Sequence, residues 1–220
     1  MSSTIDALTI INKASLLLGD ISQTYWLPSE LLGWLNDGQL EVAFVPESNN
    51  VILSKQLLPG IRQPAPTGSI RIIEFVRNMG NDSYTSGSPI YQIDRKVLDR
   101  FYPAWTTDAP DASVIHAMYD AEDNSGIFYV WPPQPSPSSF IELIYSLTPA
   151  LIPNINVGTK ITISDYFQNV LLNYILFRAL SRSTENSDDY QRSQVYFKMF
   201  NDELKLKSIA DHNANNDKIK

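Results

Sequence analysis

The sequence predicts an α+β fold: a four-helix bundle made from an N-terminal and a C-terminal helix pair, with an antiparallel β-domain, sandwich or barrel-like, inserted between them. Three observations lead there. Apolar residues recur at three and four up to Val45, the period changes to two from about residue 50, and the helical period returns after Pro149 and Pro153. Each helix pair has an apolar face that needs covering, so the economical packing brings the pairs together. This assigns residues 1–48 and 160–210 to the helical domain, 49–159 to the inserted β-domain and 211–220 to a flexible polar tail.

Ser3-Thr4 offers an N-cap for a first helix over 4–18, in which Ile5, Leu8, Ile11, Ser15 and Leu18 share a face before Gly19-Asp20. Ser29 offers a cap for a second, with Leu31, Trp34, Leu35, Val42 and Val45 on one face and Pro46 as its end. That helix crosses Asn36-Asp37-Gly38, which in isolation signals a turn. Because the flanks keep helical spacing, the helix is expected to run unbroken from about 29 to 44. Glycine in a helix interior costs about 1 kcal/mol against alanine, so another backbone is expected to pack against Gly38.

In the centre, Lys55 to Leu58, Ser69 to Arg77, Ile90 to Ile93, Val114 to Tyr119, Ile127 to Trp131 and Phe140 to Leu147 read as strands. The prolines between 132 and 137 keep the last connection extended, and Asp94 to Phe101 reads as a short helix. Ser164-Asp165 caps a run from Tyr166 to Ser181 that is apolar nearly all round, which places it in a core. Ser187-Asp188-Asp189 caps a last helix ending near Lys207.

The 220 residues carry a formal charge of −7 and no cysteine. The acidic balance, with pI about 4.8, argues against a protein whose main work is gripping phosphates. Without cysteine there are no disulfides, thiolate metal sites or cysteine nucleophiles. The first twenty residues make a poor signal peptide, and no stretch approaches the ~18 uninterrupted apolar residues of a membrane span. The chain reads as soluble.

Chemistry-bearing motifs are scarce. His116 and His212 are the two histidines, and His116, in an expected strand, reads as structural. No phosphate-binding, zinc-protease, nucleophile-elbow or dinucleotide signature occurs, and no cofactor or metal is expected. The loop from Asp120 to Gly126 fails the calcium pattern, with glycine one place late and Trp131 where a bidentate glutamate belongs. Asp120 and Glu142 with Tyr102, Trp105, Tyr129 and Trp131 leave a glycan-binding or glycan-cleaving tail component as the alternative reading. Arg71, Arg77, Arg95, Lys96 and Arg100 form a locally basic set that fits subunit or DNA contact.

Several stretches, in order, resemble one family. They are Glu30-Leu31-Leu32 with Trp34 to Gln39, Arg71 to Gly80, Ile93 to Asp99, Phe128 to Pro133, Glu142 to Ser146 and Leu172 to Ala179. The chain resembles the head-to-tail adaptor, or connector, proteins of short-tailed bacteriophages, the tail tubular protein A-like family, over roughly residues 5–205. The resemblance implies a virion protein made in the host cytoplasm, without catalytic residues. It implies a homo-oligomeric ring, dodecameric in relatives, that joins the portal to the tail nozzle, can meet tail fibres and lets double-stranded DNA pass during ejection. No membrane is involved. Tyr190, Tyr196, Phe197 and Phe200 suit a ring interface, since such interfaces are rich in aromatic anchors, and Gly38 is a further candidate for contact between ring neighbours.

Overall fold

The computed structural model describes residues 3–45, 48–121, 126–182 and 187–216. The chain divides into two compact units, Met1–Asn49 with Thr148–Lys220, and Asn50–Leu147. The fold is mixed α+β, with five α-helices and sheets of three and four strands among the described residues.

In the first unit α1 spans Ala7–Leu17, α2 Pro28–Ala43, α4 Gln168–Arg182 and α5 Ser187–Asn216. Helix α4 contacts the other three, and α1 contacts α2. The core contains Ile10, Ile11, Leu31, Leu35, Phe167, Leu171, Tyr174, Ile175 and Phe200, all buried. Burial of each large apolar side chain contributes about 1.5–3 kcal/mol. The expected all-round apolar character of α4 follows from its central place. The pairwise contacts put α5 against α4; a symmetrical four-helix bundle goes beyond them.

Several local expectations are corrected. Ser3 and Thr4 do not cap α1; Asp6 occupies that position without a side-chain cap bond, and its carboxylate takes Lys160 Nζ at 2.8 Å. The two hydroxyls bind Asp165 instead. The buried stripe of α1 is Ala7, Ile10, Ile11, Ala14 and Ser15, rotated from the expected one because the small residues allow close packing. Helix α2 starts at Pro28, not after Ser29, since proline is preorganised for the first helical position. Glu30 accepts the Leu27 N–H at 3.4 Å. The helix ends at Ala43, while Pro46, the expected stop, lies outside the described residues. Helix α5 continues to Asn216, past the expected end near Lys207 and into the expected tail. No proline or glycine interrupts 208–216, and extending a nucleated helix adds a hydrogen bond per residue.

The second unit holds β1 Asn50–Gln56, β2 Gly60–Pro64, β3 Ser69–Asn78, β4 Tyr91–Gln92, the short helix α3 Arg95–Phe101, β5 His116–Met118, β6 Ile127–Gln134 and β7 Phe140–Leu147. The sheet orders are β1-β7-β3 and β2-β6-β5-β4. An all-antiparallel β-block is corrected by β4, which pairs parallel to β5 through Tyr91–His116 and Gln92–Ala117. The intervening α3 is a crossover of the kind a parallel pair requires. Residues of both sheets form one core, in which Phe75 of β3 meets Phe128 of β6 with ring centres 5.0 Å apart.

Strand β2 was not expected, because Gly60 and Pro64 at its ends break the alternation that announces a strand. Strand β6 runs through Pro132 and Pro133. These residues cannot donate to a ladder, and the register shift between Gly60 and Arg62 lies opposite them. Asp94 caps α3 by accepting the Lys96 N–H at 2.9 Å.

Candidate interaction surfaces

Helix α2 crosses Asn36-Asp37-Gly38 without a break. A Cβ built on Gly38 would lie 3.0 Å from Tyr174 Cδ1 and 3.3 Å from Leu171 Cδ2. The glycine accommodates an aromatic ring and a leucine of α4, not the expected neighbouring backbone. Gly38 is therefore a core residue of the first unit.

The motif's amides have a role that sequence reasoning missed. Asn36 donates its side-chain N–H to the Ile152 carbonyl at 3.0 Å and accepts the Ile152 N–H at 3.0 Å. Buried Gln39 accepts the Thr162 N–H at 2.6 Å and hydroxyl at 3.0 Å. A side-chain amide with one donor end and one acceptor end imitates a strand partner. In the other unit Asn78 does the same for Val114, both bonds 2.8 Å, and Gln63 does so for Leu58 at 2.6 and 2.7 Å. These clamps hold irregular connections against regular elements.

A third missed feature is Asp165. It accepts hydrogen bonds from the hydroxyls of Ser3 and Thr4 and from the backbone N–H groups of Thr4 and Ile5. The Ser3 hydroxyl and then that of Thr4 hold its pKa down at about 2. The start of the chain is thereby fixed to the entrance of α4. At the other end of α4, Arg182 reaches Glu30 at 2.5 Å and lies over the Trp26 ring.

Of the expected interface aromatics, Tyr190 and Phe197 are exposed and Tyr196 is half-buried. Phe200 is corrected: it is 5% exposed and packs on Tyr174 with ring centres 5.1 Å apart. The helical period places it on the α4 side of α5, where it is unavailable to a partner.

The basic set is divided between β3, which carries Arg71 and Arg77, and α3, which carries Arg95, Lys96 and Arg100. Arg77 pairs with Glu142 at 3.5 Å and Arg95 with Asp99 at 3.5 Å. Arg95 also lies over Tyr129, and Arg100 over Phe101. Arg71 is half-buried on β3, while Lys96 and Arg100 are exposed on α3.

The aromatics of the glycan reading are engaged with one another. Trp105 is buried and donates to Asp99 at 2.9 Å. Trp131 donates to Asp108 at 2.7 Å, and the Tyr102 hydroxyl meets the same carboxylate at 2.6 Å. His116 stacks on Trp131 with ring centres 5.6 Å apart. Asp120 lines a cleft of about 640 Å³ with Asp94, Arg95, Lys96 and Tyr129, whereas Glu142 belongs to the other sheet and pairs with Arg77. Much of the calcium-like loop, Glu122 to Ser125, lies outside the described residues.

The geometry is that of packing and polar clamping, and comparison with known proteins agrees in kind. The family model described as SU10 adaptor protein matches residues 5–218. The chain belongs to the SU10 adaptor protein family. This is a head-to-tail adaptor family of short-tailed phages, so the adaptor is a structural phage protein of the virion, working with portal and tail components. No curated protein matches the adaptor's sequence. Among the described residues no helix of the adaptor is long and apolar enough to cross a membrane.

Proposed function

We propose that this adaptor assembles as a homo-oligomeric, dodecameric ring between the portal and the tail nozzle, and that double-stranded DNA passes through it during ejection. The observation that carries this reading is the family match over residues 5–218. The acidic charge of −7 supports it, because an acidic channel wall repels DNA and lets it slide where a basic wall would hold it. The helices act as one bundle that carries the ring, and the β-domain, 49–159, is free to meet tail fibres. Tyr190, Tyr196 and Phe197 remain interface candidates. Lys96 and Arg100 are the members of the basic set best placed for subunit or DNA contact, since exposed cations can meet a partner without burial of an existing ion pair.

The adaptor has no catalytic role in this reading. The glycan alternative is disfavoured because Trp105 is buried, His116 stacks on the Trp131 ring, and Glu142 is paired with Arg77. The test is to mix the purified adaptor with portal rings and image the product. A ring of adaptor density beneath the portal is expected; bare portals, with no such ring in virions either, would overturn the reading.

A further inference from the structure

In the first unit one short turn is gripped from both ends of the chain. The 3-10 turn Asp165–Phe167 leads into α4, with Ser164 as its cap. On one side the Asp165 carboxylate holds the chain start. It accepts the Ser3 hydroxyl, the Thr4 hydroxyl at 2.5 Å, and the Thr4 and Ile5 N–H groups at 3.0 and 3.3 Å. The Ile161 N–H donates to the Ile5 carbonyl at 3.1 Å and the Ala7 N–H to the Thr159 carbonyl at 2.9 Å, which aligns the start beside 159–161. On the other side Lys207 of α5 donates its ammonium to the Tyr166 carbonyl. The same ammonium lies 4.2 Å from the centre of the Tyr166 ring and 5.2 Å from that of Phe167. Phe167 belongs to the core against which Ile5 of the chain start also packs.

The far end of α5 depends on this anchor. The helix continues past Lys207 to Asn216, about 14 Å further. That stretch has one large apolar residue, Ile209, while Ser208, Asp211, His212, Asn213, Asn215 and Asn216 are weak helix formers. A segment of that composition does not nucleate a helix by itself and is helical as the continuation of an anchored one. A 3-10 turn has poorer hydrogen-bond geometry than an α-helix, so its orientation follows the groups that grip it.

We infer that the two chain ends are coupled through the Asp165–Phe167 turn. Withdrawal of residues 3–5 from Asp165 lets the turn shift, weakens the seat of Lys207 and frays α5 from Asn216 back toward Lys207. By linkage the reverse holds with the same free energy, so that loosening Lys207 loosens the chain start. A partner that captures either end is thereby sensed at the other. The device acts within one copy of the chain and does not rest on the ring reading.

The test is NMR on the full-length adaptor, reading Cα shifts and hydrogen exchange over 208–216 together with exchange at the Thr4 and Ile5 amides. Ser3→Ala with Thr4→Ala removes both hydroxyl donors, and Asp165→Ala removes the acceptor outright. In each, the Thr4 and Ile5 amides are expected to exchange faster. The 208–216 amides are expected to exchange about five-fold faster or more, with loss of helical shifts. Lys207→Met keeps the side-chain stem and removes the ammonium, and is expected to speed exchange at Thr4 and Ile5 by a similar factor. Arg182→Met, which breaks the Glu30 pair at the opposite end of α4, is the control and should leave both ends unchanged. A chain start released by Asp165→Ala with 208–216 unchanged would overturn the coupling, as would equal fraying in Arg182→Met. Unchanged exchange at Thr4 and Ile5 in the Asp165→Ala protein, or an α5 end already non-helical in the unsubstituted adaptor, would overturn it too.

Discussion

Tyr174 lies against Gly38 in the middle of α2, with its Cδ1 3.0 Å from where a Gly38 Cβ would be. The ring is held in turn by Phe200 at 5.1 Å and Phe177 at 6.0 Å between centres. It has little room to retreat. Gly38→Ala gains about 1 kcal/mol of helix propensity but incurs overpacking of about 1–3 kcal/mol. The expected net effect is a loss of about 1 kcal/mol in denaturant unfolding. In a Tyr174→Leu background, where the ring is gone, the same substitution is expected to stabilise. Stabilisation in both backgrounds would show that the ring does not constrain Gly38.

Gln39 is buried, and its carbonyl oxygen takes two hydrogen bonds from Thr162. Gln39→Leu keeps the approximate volume and leaves the Thr162 N–H without that acceptor. Such a loss costs about 1–3 kcal/mol. Urea midpoints of the two proteins measure it. A change within a few tenths of a kcal/mol would mean that water replaces the clamp without penalty.

The Asp165 latch is pH-dependent, and its sign follows from the depressed pKa. A carboxylate held at about 2 in the folded protein, against an ordinary 3.8, stabilises the fold fully above the ordinary value. That stabilisation fades as pH falls from about 4 toward 2. The expected result is that unsubstituted adaptor melts higher than Asp165→Asn at neutral pH and that the gap narrows as pH falls through this window. A constant gap from pH 7 to pH 2 would contradict the assignment.

Asn78 tests the same clamp principle in the β-unit. Its amide joins Val114 to the end of β3 and also donates to the Ser88 carbonyl at 3.1 Å. Asn78→Ala is expected to destabilise by about 2–3 kcal/mol, whereas Asn78→Asp keeps the acceptor for the Val114 N–H and loses the donor. Hydrogen exchange at the Val114 amide should rise much more in the alanine variant; equal protection in both would place the stabilisation elsewhere.

Element types were legible where periodicity was strong. Helix α2 could be read through Asn36-Asp37-Gly38 because Leu31, Leu35 and Val42 keep the helical spacing on both sides. The parallel pairing of β4 was not legible, since two residues carry no information on strand direction. The role of Gly38 was half legible: its cost in a helix announces a close neighbour but not whether that neighbour is backbone or ring. Phe200 was assigned to an interface because one sequence cannot tell which apolar face of α5 meets α4. The amide clamps and the Asp165 latch were invisible for a related reason. Asn36 pairs with Ile152, Gln39 with Thr162 and Asp165 with Ser3, and such partners are set by tertiary folding, not by spacing along the chain.

The central claim is that the adaptor is a ring built on the portal. Native mass measurement of portal complexes after incubation with excess adaptor tests it most directly. The account predicts one 24.8 kDa adaptor per portal subunit, added cooperatively so that bare and fully decorated portals dominate. A single adaptor per portal, or partial occupancy with no preference for a complete set, would contradict it.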